Sequence, residues 1–217
     1  MRIASKLLAA LAACAFAAPA AAGTITVYTA LENDEVATYL AAARQALPDV
    51  DVKVLRLSTG DLAARLLAEA AAPRNDVIWG EALTDMLDPR IGALLAPAGV
   101  AEAERLAPRY RDAGGRWFAP TGYVAALCVN EEALEAQHLP MPASWADLAK
   151  PVYKGQVVMP DPQSSGTGYM LIATLLQGMG AAKGWPMLAA LAANMAQFTK
   201  SGSAPCKLAR TGEYPIG

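Results

Sequence analysis

Histidine occurs once in these 217 residues, aromatic side chains make up 6%, and there are three cysteines. Each scarcity removes a class of chemistry. The lone His138 sits in the proline-rich stretch "AQHLPMPASW", with no evident nucleophile or acid to work with it. No G-x-S-x-G elbow, S-x-x-K dyad or G-x-x-x-x-G-K-[ST] loop occurs either, so hydrolase and nucleotide-hydrolysing chemistries lack their parts. A secreted phosphatase-like enzyme stays only as the alternative from a different class. Basic runs are missing too. With 18 Lys and Arg against 20 Asp and Glu the formal charge is −2, which argues against a nucleic-acid partner. No cofactor and no metal are expected, because His138 lies far in sequence from Cys128 and Cys206.

Long apolar runs are confined to the beginning. "MRIASKLLAALAACAFAAPAAAG" places Arg2 and Lys6 before an apolar stretch and then small residues, the form of a secretory signal covering residues 1–22. Beyond it no apolar run reaches the ~18 residues needed to span a bilayer. A soluble periplasmic product is expected. Leu11-Ala12-Ala13-Cys14 has the form of a lipoprotein processing site, and lipid anchoring at Cys14 is the alternative. Against it, the apolar segment before Cys14 is only about seven residues, short for a signal core. Export leaves Cys128 and Cys206 as the only mature pair in an oxidising compartment, where a disulfide is the natural state. Two thiols that never meet are the other outcome.

What is present is an alternation. "TITVYTA", "DVDVKVLRL" and "NDVIWG" have strand character, and "EVATYLAAARQAL" and "TGDLAARLLAEAAA" have helical periodicity between them. Such alternation predicts an α/β fold with a parallel sheet, whose ligands sit at the carboxyl ends of the strands. Residues 97–120 read as surface loops with a short helix. "TGYVAALCVN" reads as a strand entering a second lobe. A helix, a proline-rich turn and a short helix capped by Ser144 follow, then the strand "QVVMP", a long apolar helix and a second helix around "WPMLAALAANMAQF". The expected division is a first lobe over residues 23–120 and a second over 121–217.

Hydroxyls and glycines crowd the predicted strand ends. The first strand ends in Thr29-Ala30-Leu31, the second in Ser58-Thr59-Gly60 and the third in Trp79-Gly80-Glu81, and Thr29, Ala30, Ser58, Thr59 and Trp79 are taken as candidate ligand contacts. Any one of these is explained by helix capping; three at one sheet edge favour a site. The densest cluster follows "QVVMP": Ser164, Ser165, Gly166, Thr167 and Gly168 at a helix entry. A helix start offers unpaired N–H groups and the positive dipole end, glycines let a ligand approach the backbone, and the hydroxyls add donors. That combination holds a phosphate-like oxyanion without lysine or arginine. Ser201 and Ser203 form a further hydroxyl loop.

Four segments in order, "TVYTALENDE", "STGDLAARLLAEAAAPRNDVIWG", "SWADLAKPVYKGQVVMPDPQSSGTGY" and "SGSAPCKLARTGEYPIG", resemble substrate-binding proteins of ABC importers. The group they are most similar to is the 2-aminoethylphosphonate binders, relatives of the ferric-ion-binding proteins. The resemblance implies a two-lobed type II periplasmic binding protein fold, with mixed sheets flanked by helices and a small phosphonate held between the lobes. Its partners would be the membrane subunits of the transporter. Ferric iron or a sugar phosphate is the alternative ligand within the same fold. For the ammonium end of the phosphonate, Glu32, Glu81 and the face of Trp79 are the candidates. Relatives in that group continue beyond "EYPIG", so the chain is expected to be truncated, with an incomplete second lobe.

Overall fold

The computed structural model describes residues 23–217. The expected signal segment 1–22, with Cys14, lies outside the described residues.

The first lobe is built on a three-stranded parallel sheet ordered β2-β1-β3, from β1 (Gly23–Thr29), β2 (Val50–Arg56) and β3 (Val77–Trp79). Val27 of β1 sits opposite Val54 on one side and Val77 on the other. Between the strands run α1 (Asn33–Ala46) and α2 (Thr59–Ala68), and after β3 come two single-turn helices, α3 (Leu83–Met86) and α4 (Pro89–Gly92). Leu62 and Leu66, one turn apart on α2, are buried with Tyr28 and Ile91 and form the core of this lobe. Leu62 is wholly buried; truncating such a residue to alanine costs roughly 2–5 kcal/mol. The Tyr28 hydroxyl donates to Glu69 at 2.9 Å, and Arg65 pairs with Glu69 at 2.8 Å one helical turn away. The buried aromatic thus keeps a hydrogen bond at the edge of the core.

The second lobe rests on a parallel pair, β4 (Val157–Pro160) and β5 (Met195–Thr199). All four β4 residues are buried, as expected of a parallel strand covered on both faces. Ile216 bridges Val157 in parallel and Val129 antiparallel, which makes this sheet mixed. Helices α5 (Glu131–Ala136), α6 (Gly166–Met179), α7 (Ala181–Asn194) and α8 (Ala204–Arg210) complete the lobe. Its core gathers Leu134, Leu148, Tyr153, Val157, Leu171 and Leu191, among others. As expected, Ser144 caps the short helix at Trp145–Ala149, which is a 3₁₀ turn; its Oγ accepts from the Asp147 N–H.

Two expected elements differ. "TGYVAALCVN" is not a regular strand. Only Cys128–Asn130 pair with the backbone, through bonds to Pro215 and Gly217 of 2.7–2.8 Å, and Val124 is 87% exposed. Residues 121–127 have no ladder partner among the described residues. "WPMLAALAANMAQF" is not all helix, because α7 ends at Asn194 and Met195 opens β5. The Asn194 amide donates to the carbonyls of Leu148 and Lys150 at 2.8 and 2.7 Å, and four of the next five residues then pair in parallel with β4.

Cys128 and Cys206 are joined, with Cα atoms 5.2 Å apart. The bond ties the stretch before α5 to α8 across 78 residues of chain. Closing a loop of that length removes roughly 4 kcal/mol of unfolded-state entropy. Thiol labelling of the denatured, non-reduced protein should find neither residue, and Cys128→Ser should lower stability by a few kcal/mol. Two labelled thiols would contradict the pairing.

Candidate functional site

The two lobes touch where α2 begins and where the turn before α6 ends. The Gly60 N–H donates to the Ser164 carbonyl at 2.9 Å. A Cβ on Gly60 would overlap the Gln163 carbonyl oxygen, so the approach needs glycine at this position. Close by, a Cβ on Gly166 would lie 3.2 Å from both branches of the Thr59 side chain and from the Tyr123 hydroxyl. The first turn of α6 therefore faces the first turn of α2 across the seam, with Tyr123 beside them.

The sequence explains the entry into α6. Asp161 turns the chain, its carboxylate accepting from the Gln163 N–H at 2.8 Å and its carbonyl from the Ser165 N–H at 2.8 Å. Ser165 is the N-cap, 4% exposed, its Oγ accepting from the Gly168 N–H at 3.4 Å. Gly168 packs against the backbone of Pro160–Pro162 and admits no side chain. The Ser164 hydroxyl donates to the Lys200 carbonyl at 3.2 Å. Thr167 Oγ1 and Ser165 Oγ border Gly202 of the Ser201–Ser203 loop. Ser201 Oγ accepts from the Ala204 N–H, at the first residue of α8, at 3.2 Å. Ser203 Oγ is buried with no partner.

On the first lobe the candidates divide. Thr29 is fully buried, and its Oγ1 accepts from the Leu31 N–H at 3.1 Å. Ala30 packs against the core of that lobe. Ser58 precedes α2 without a side-chain capping bond, and Thr59 faces Gly166. Trp79 makes an edge contact with Tyr39, ring centroids 5.3 Å apart, so part of its surface is used within the lobe. Glu32 pairs with Arg56 at 3.1 Å and approaches Lys207 of the second lobe at 3.9 Å. Its charge is therefore already met by cations. Among the described residues no group of three or more His, Cys, Asp or Glu side chains is placed to hold a metal ion.

Glu81 is the electrostatic anomaly. Both carboxylate oxygens are buried without a hydrogen-bond partner. Burial first, and then the nearby Asp85 carboxyl, push its pKa up to about 9. Tyr123 is raised as well, by burial, by Asp85 and by Glu81. The sequence offered a faint signal for Asp85, an acid four residues after Glu81. Tyr123 was hidden in a stretch that reads as a strand.

With this geometry in view, the comparisons with known proteins are specific. The family model for bacterial extracellular solute-binding proteins matches residues 76–217, and the chain belongs to that family. It is 32% identical over 148 residues to the phosphoglycerate transport regulatory protein PgtC of Salmonella typhimurium, covering 67% of this chain and 36% of PgtC. It is 29% identical over 199 residues to the probable ABC transporter periplasmic-binding protein y4fP of Sinorhizobium fredii, covering 87% of this chain and 53% of y4fP. The solved periplasmic binding protein AfuA of Actinobacillus pleuropneumoniae, with fructose-6-phosphate bound, superposes with a TM-score of 0.79. AfuA is 29% identical, and the match covers 90% of this chain and 62% of AfuA. The fold is thus the two-lobed α/β fold of periplasmic binding proteins. The chain spans roughly a third to three-fifths of the length of these relatives.

The Glu81 carboxyl sets a pH dependence. Its folded pKa lies above the ordinary value of 4.5, so between there and about 9 the folded state holds a proton that the unfolded state has released. Stability contributed by this group is then complete at low pH and declines as pH rises through that window. Glu81→Gln should remove the decline, raising the melting temperature at pH 8 by more than at pH 5. The difference is worth on the order of a few kcal/mol at most. A parallel offset at both pH values would show that Glu81 titrates normally.

Proposed function

We propose that this chain is the solute-binding component of an ABC importer. It holds 2-aminoethylphosphonate or a similar small phosphonate between lobes at 23–120 and 121–217. The observation that carries this reading is the seam, where the first turn of α6 faces Thr59 and Gly60 with neutral donors on both sides. Free N–H groups at Gly166 and Thr167, the hydroxyls of Ser165 and Thr167, and the unpartnered Ser203 Oγ suit an oxyanion. Thr59 and Ser58 close from the first lobe. Ser201 and Ser164 shape the cradle through their bonds to Ala204 and Lys200, and Thr29 and Ala30 support it from inside the first lobe. A phosphonate carries charge much like a phosphate, roughly −1.5 to −2 near neutral pH. PgtC is named for phosphoglycerate transport and AfuA holds fructose-6-phosphate, which supports a phosphorus oxyanion at this place.

A sugar phosphate is the second reading, favoured by the fructose-6-phosphate in AfuA. Ferric iron is less well suited, because the seam offers neutral donors rather than anionic oxygens. Export by residues 1–22 and association with transporter membrane subunits belong to the same proposal. So does binding without turnover.

Calorimetric titration of the purified full-length protein with 2-aminoethylphosphonate, fructose-6-phosphate and ferric citrate tests the reading, beside an assay for hydrolysis of a generic phosphate ester. Stoichiometric phosphonate binding without turnover is expected. Ser165→Ala removes both a cap and a charge-assisted donor. It should cost about 1 kcal/mol of stability and weaken phosphonate binding roughly ten- to a hundredfold. A lower melting temperature with affinity changed less than about threefold would leave Ser165 as a cap alone. Ser164→Ala, whose hydroxyl bonds Lys200, is the neighbouring control.

A further inference from the structure

Ser203 Oγ, buried and without a partner, stands at the far end of a short loop whose near end is well held. The Asp161 N–H donates to the Thr199 carbonyl at 2.7 Å, and the Ser164 hydroxyl to the Lys200 carbonyl at 3.2 Å. Within the loop the Thr199 hydroxyl donates to the Ser201 carbonyl at 3.0 Å, and Ser201 Oγ accepts from the Ala204 N–H. These bonds shape the turn locally. The loop also lies directly against α6, since a Cβ on Gly202 would meet Thr167 and come within 3.4 Å of Ser165 Oγ. Where Ser203 stands relative to α6 then follows from where α8 begins.

A helix of seven residues such as α8 is marginal by itself. Packing beside it is incomplete: a cavity of about 50 Å³ is bordered by Thr167, Gly202, Pro205, Cys206 and Gly217, among others. Atoms that face a void forgo contacts on that side. At the C-terminal end of α8 the Asn130 amide donates to the Ala209 carbonyl at 2.9 Å. At the end nearest the cradle the tie is covalent, from Cys206 to Cys128. Cys128 is itself held by two backbone bonds to Gly217, of 2.7 and 2.8 Å. Gly217 packs so closely on Pro205 that a Cβ there would overlap the Pro205 carbonyl. The next residue, Lys207, approaches Glu32 of the first lobe at 3.9 Å, so the same part of α8 also faces the opposite lobe.

We propose that the Cys128–Cys206 bond positions the ligand site: it fixes the first turn of α8, and through it Ser203, at the spacing from α6 that an oxyanion needs. The inference rests on the oxyanion reading of the α6 entry and deepens it by assigning two positioning residues. Neither cysteine touches the ligand. Without the bond, the first turn of α8 is free to shift into the cavity beside it, and the Ser203 hydroxyl moves with it. A hydrogen bond to a charged acceptor needs a separation of roughly 2.7–2.9 Å, so a displacement of about 1 Å is enough to lose it.

The test compares purified full-length wild type, Cys128→Ser/Cys206→Ser, Ser203→Ala and the variant carrying all three changes. Each is titrated calorimetrically with 2-aminoethylphosphonate and with fructose-6-phosphate, well below its melting temperature. Whichever probe wild type binds should be weakened roughly ten- to a hundredfold in Cys128→Ser/Cys206→Ser, and by a similar factor in Ser203→Ala. Both changes act on one contact, so the combined variant should bind within about threefold of either parent. A crosslink that only stabilises the fold does not produce that non-additivity. If the disulfide-free protein does not fold, wild type is treated with increasing reductant while thiols, circular dichroism and probe affinity are followed together. Affinity should then fall as the bond opens, before the folded signal is lost.

Affinity that persists until the folded signal is lost overturns the positioning role. So does disulfide-free protein that binds as wild type does while melting lower, or full additivity with Ser203→Ala. All three outcomes leave the oxyanion reading standing. Wild type that binds neither probe removes that reading and the positioning role with it.

Discussion

One backbone hydrogen bond organises this molecule, from the Gly60 N–H of the first lobe to the Ser164 carbonyl of the second. It brings two helix N-termini, those of α2 and α6, to the same seam. A side chain at residue 60 would collide with the Gln163 carbonyl, so the approach depends on a missing Cβ. Once the lobes meet there, Thr59 faces Gly166 and Tyr123 joins them. Thr59, Gly60, Ser164, Gly166 and Tyr123 are brought together at that contact.

The electrostatics follow from the same arrangement. Two helix starts directed at one place concentrate positive potential without a single lysine or arginine. Two cationic side chains, Arg56 and Lys207, are engaged at Glu32. Neutral donors can then serve an oxyanion through geometry. The Glu81 carboxyl, buried and unpartnered, is the counterweight: a group that costs stability in the folded chain. Its neighbour Asp85 sharpens the effect by discouraging a second charge.

Much of the fold was legible in the sequence, because its first three strands and their helices carry local signals. β1, β2 and β3 are short β-rich runs, and the helices between them repeat apolar residues at helical spacing. Where a segment takes its conformation from a distant partner, the sequence misled. "TGYVAALCVN" has strand composition, yet among the described residues its only ladder comes from Pro215–Gly217. "MAQF" continues the apolar period of α7, yet pairing with β4 claims it. The site shows the same contrast. Ser165 as a helix cap and the hydroxyl cluster around it are local features, visible in five consecutive residues. The ion pair of Glu32 with Arg56, the approach of Lys207 from the other lobe and the nearness of Glu81 to Asp85 and Tyr123 depend on the fold. Those could not be read from spacing alone.

The central claim is that ligand is held where the lobes close on the Gly60–Ser164 bond. The most direct measurement is the phosphonate affinity of Gly60→Ala beside its melting temperature. An added methyl should be accommodated within the first lobe and should obstruct only the approach of Gln163. Overpacking of that kind costs typically 1–3 kcal/mol, so the melting temperature should fall and affinity should fall roughly five- to a hundredfold with it. Unchanged affinity in Gly60→Ala would contradict the account, because the ligand would then be held without the lobes meeting at that bond.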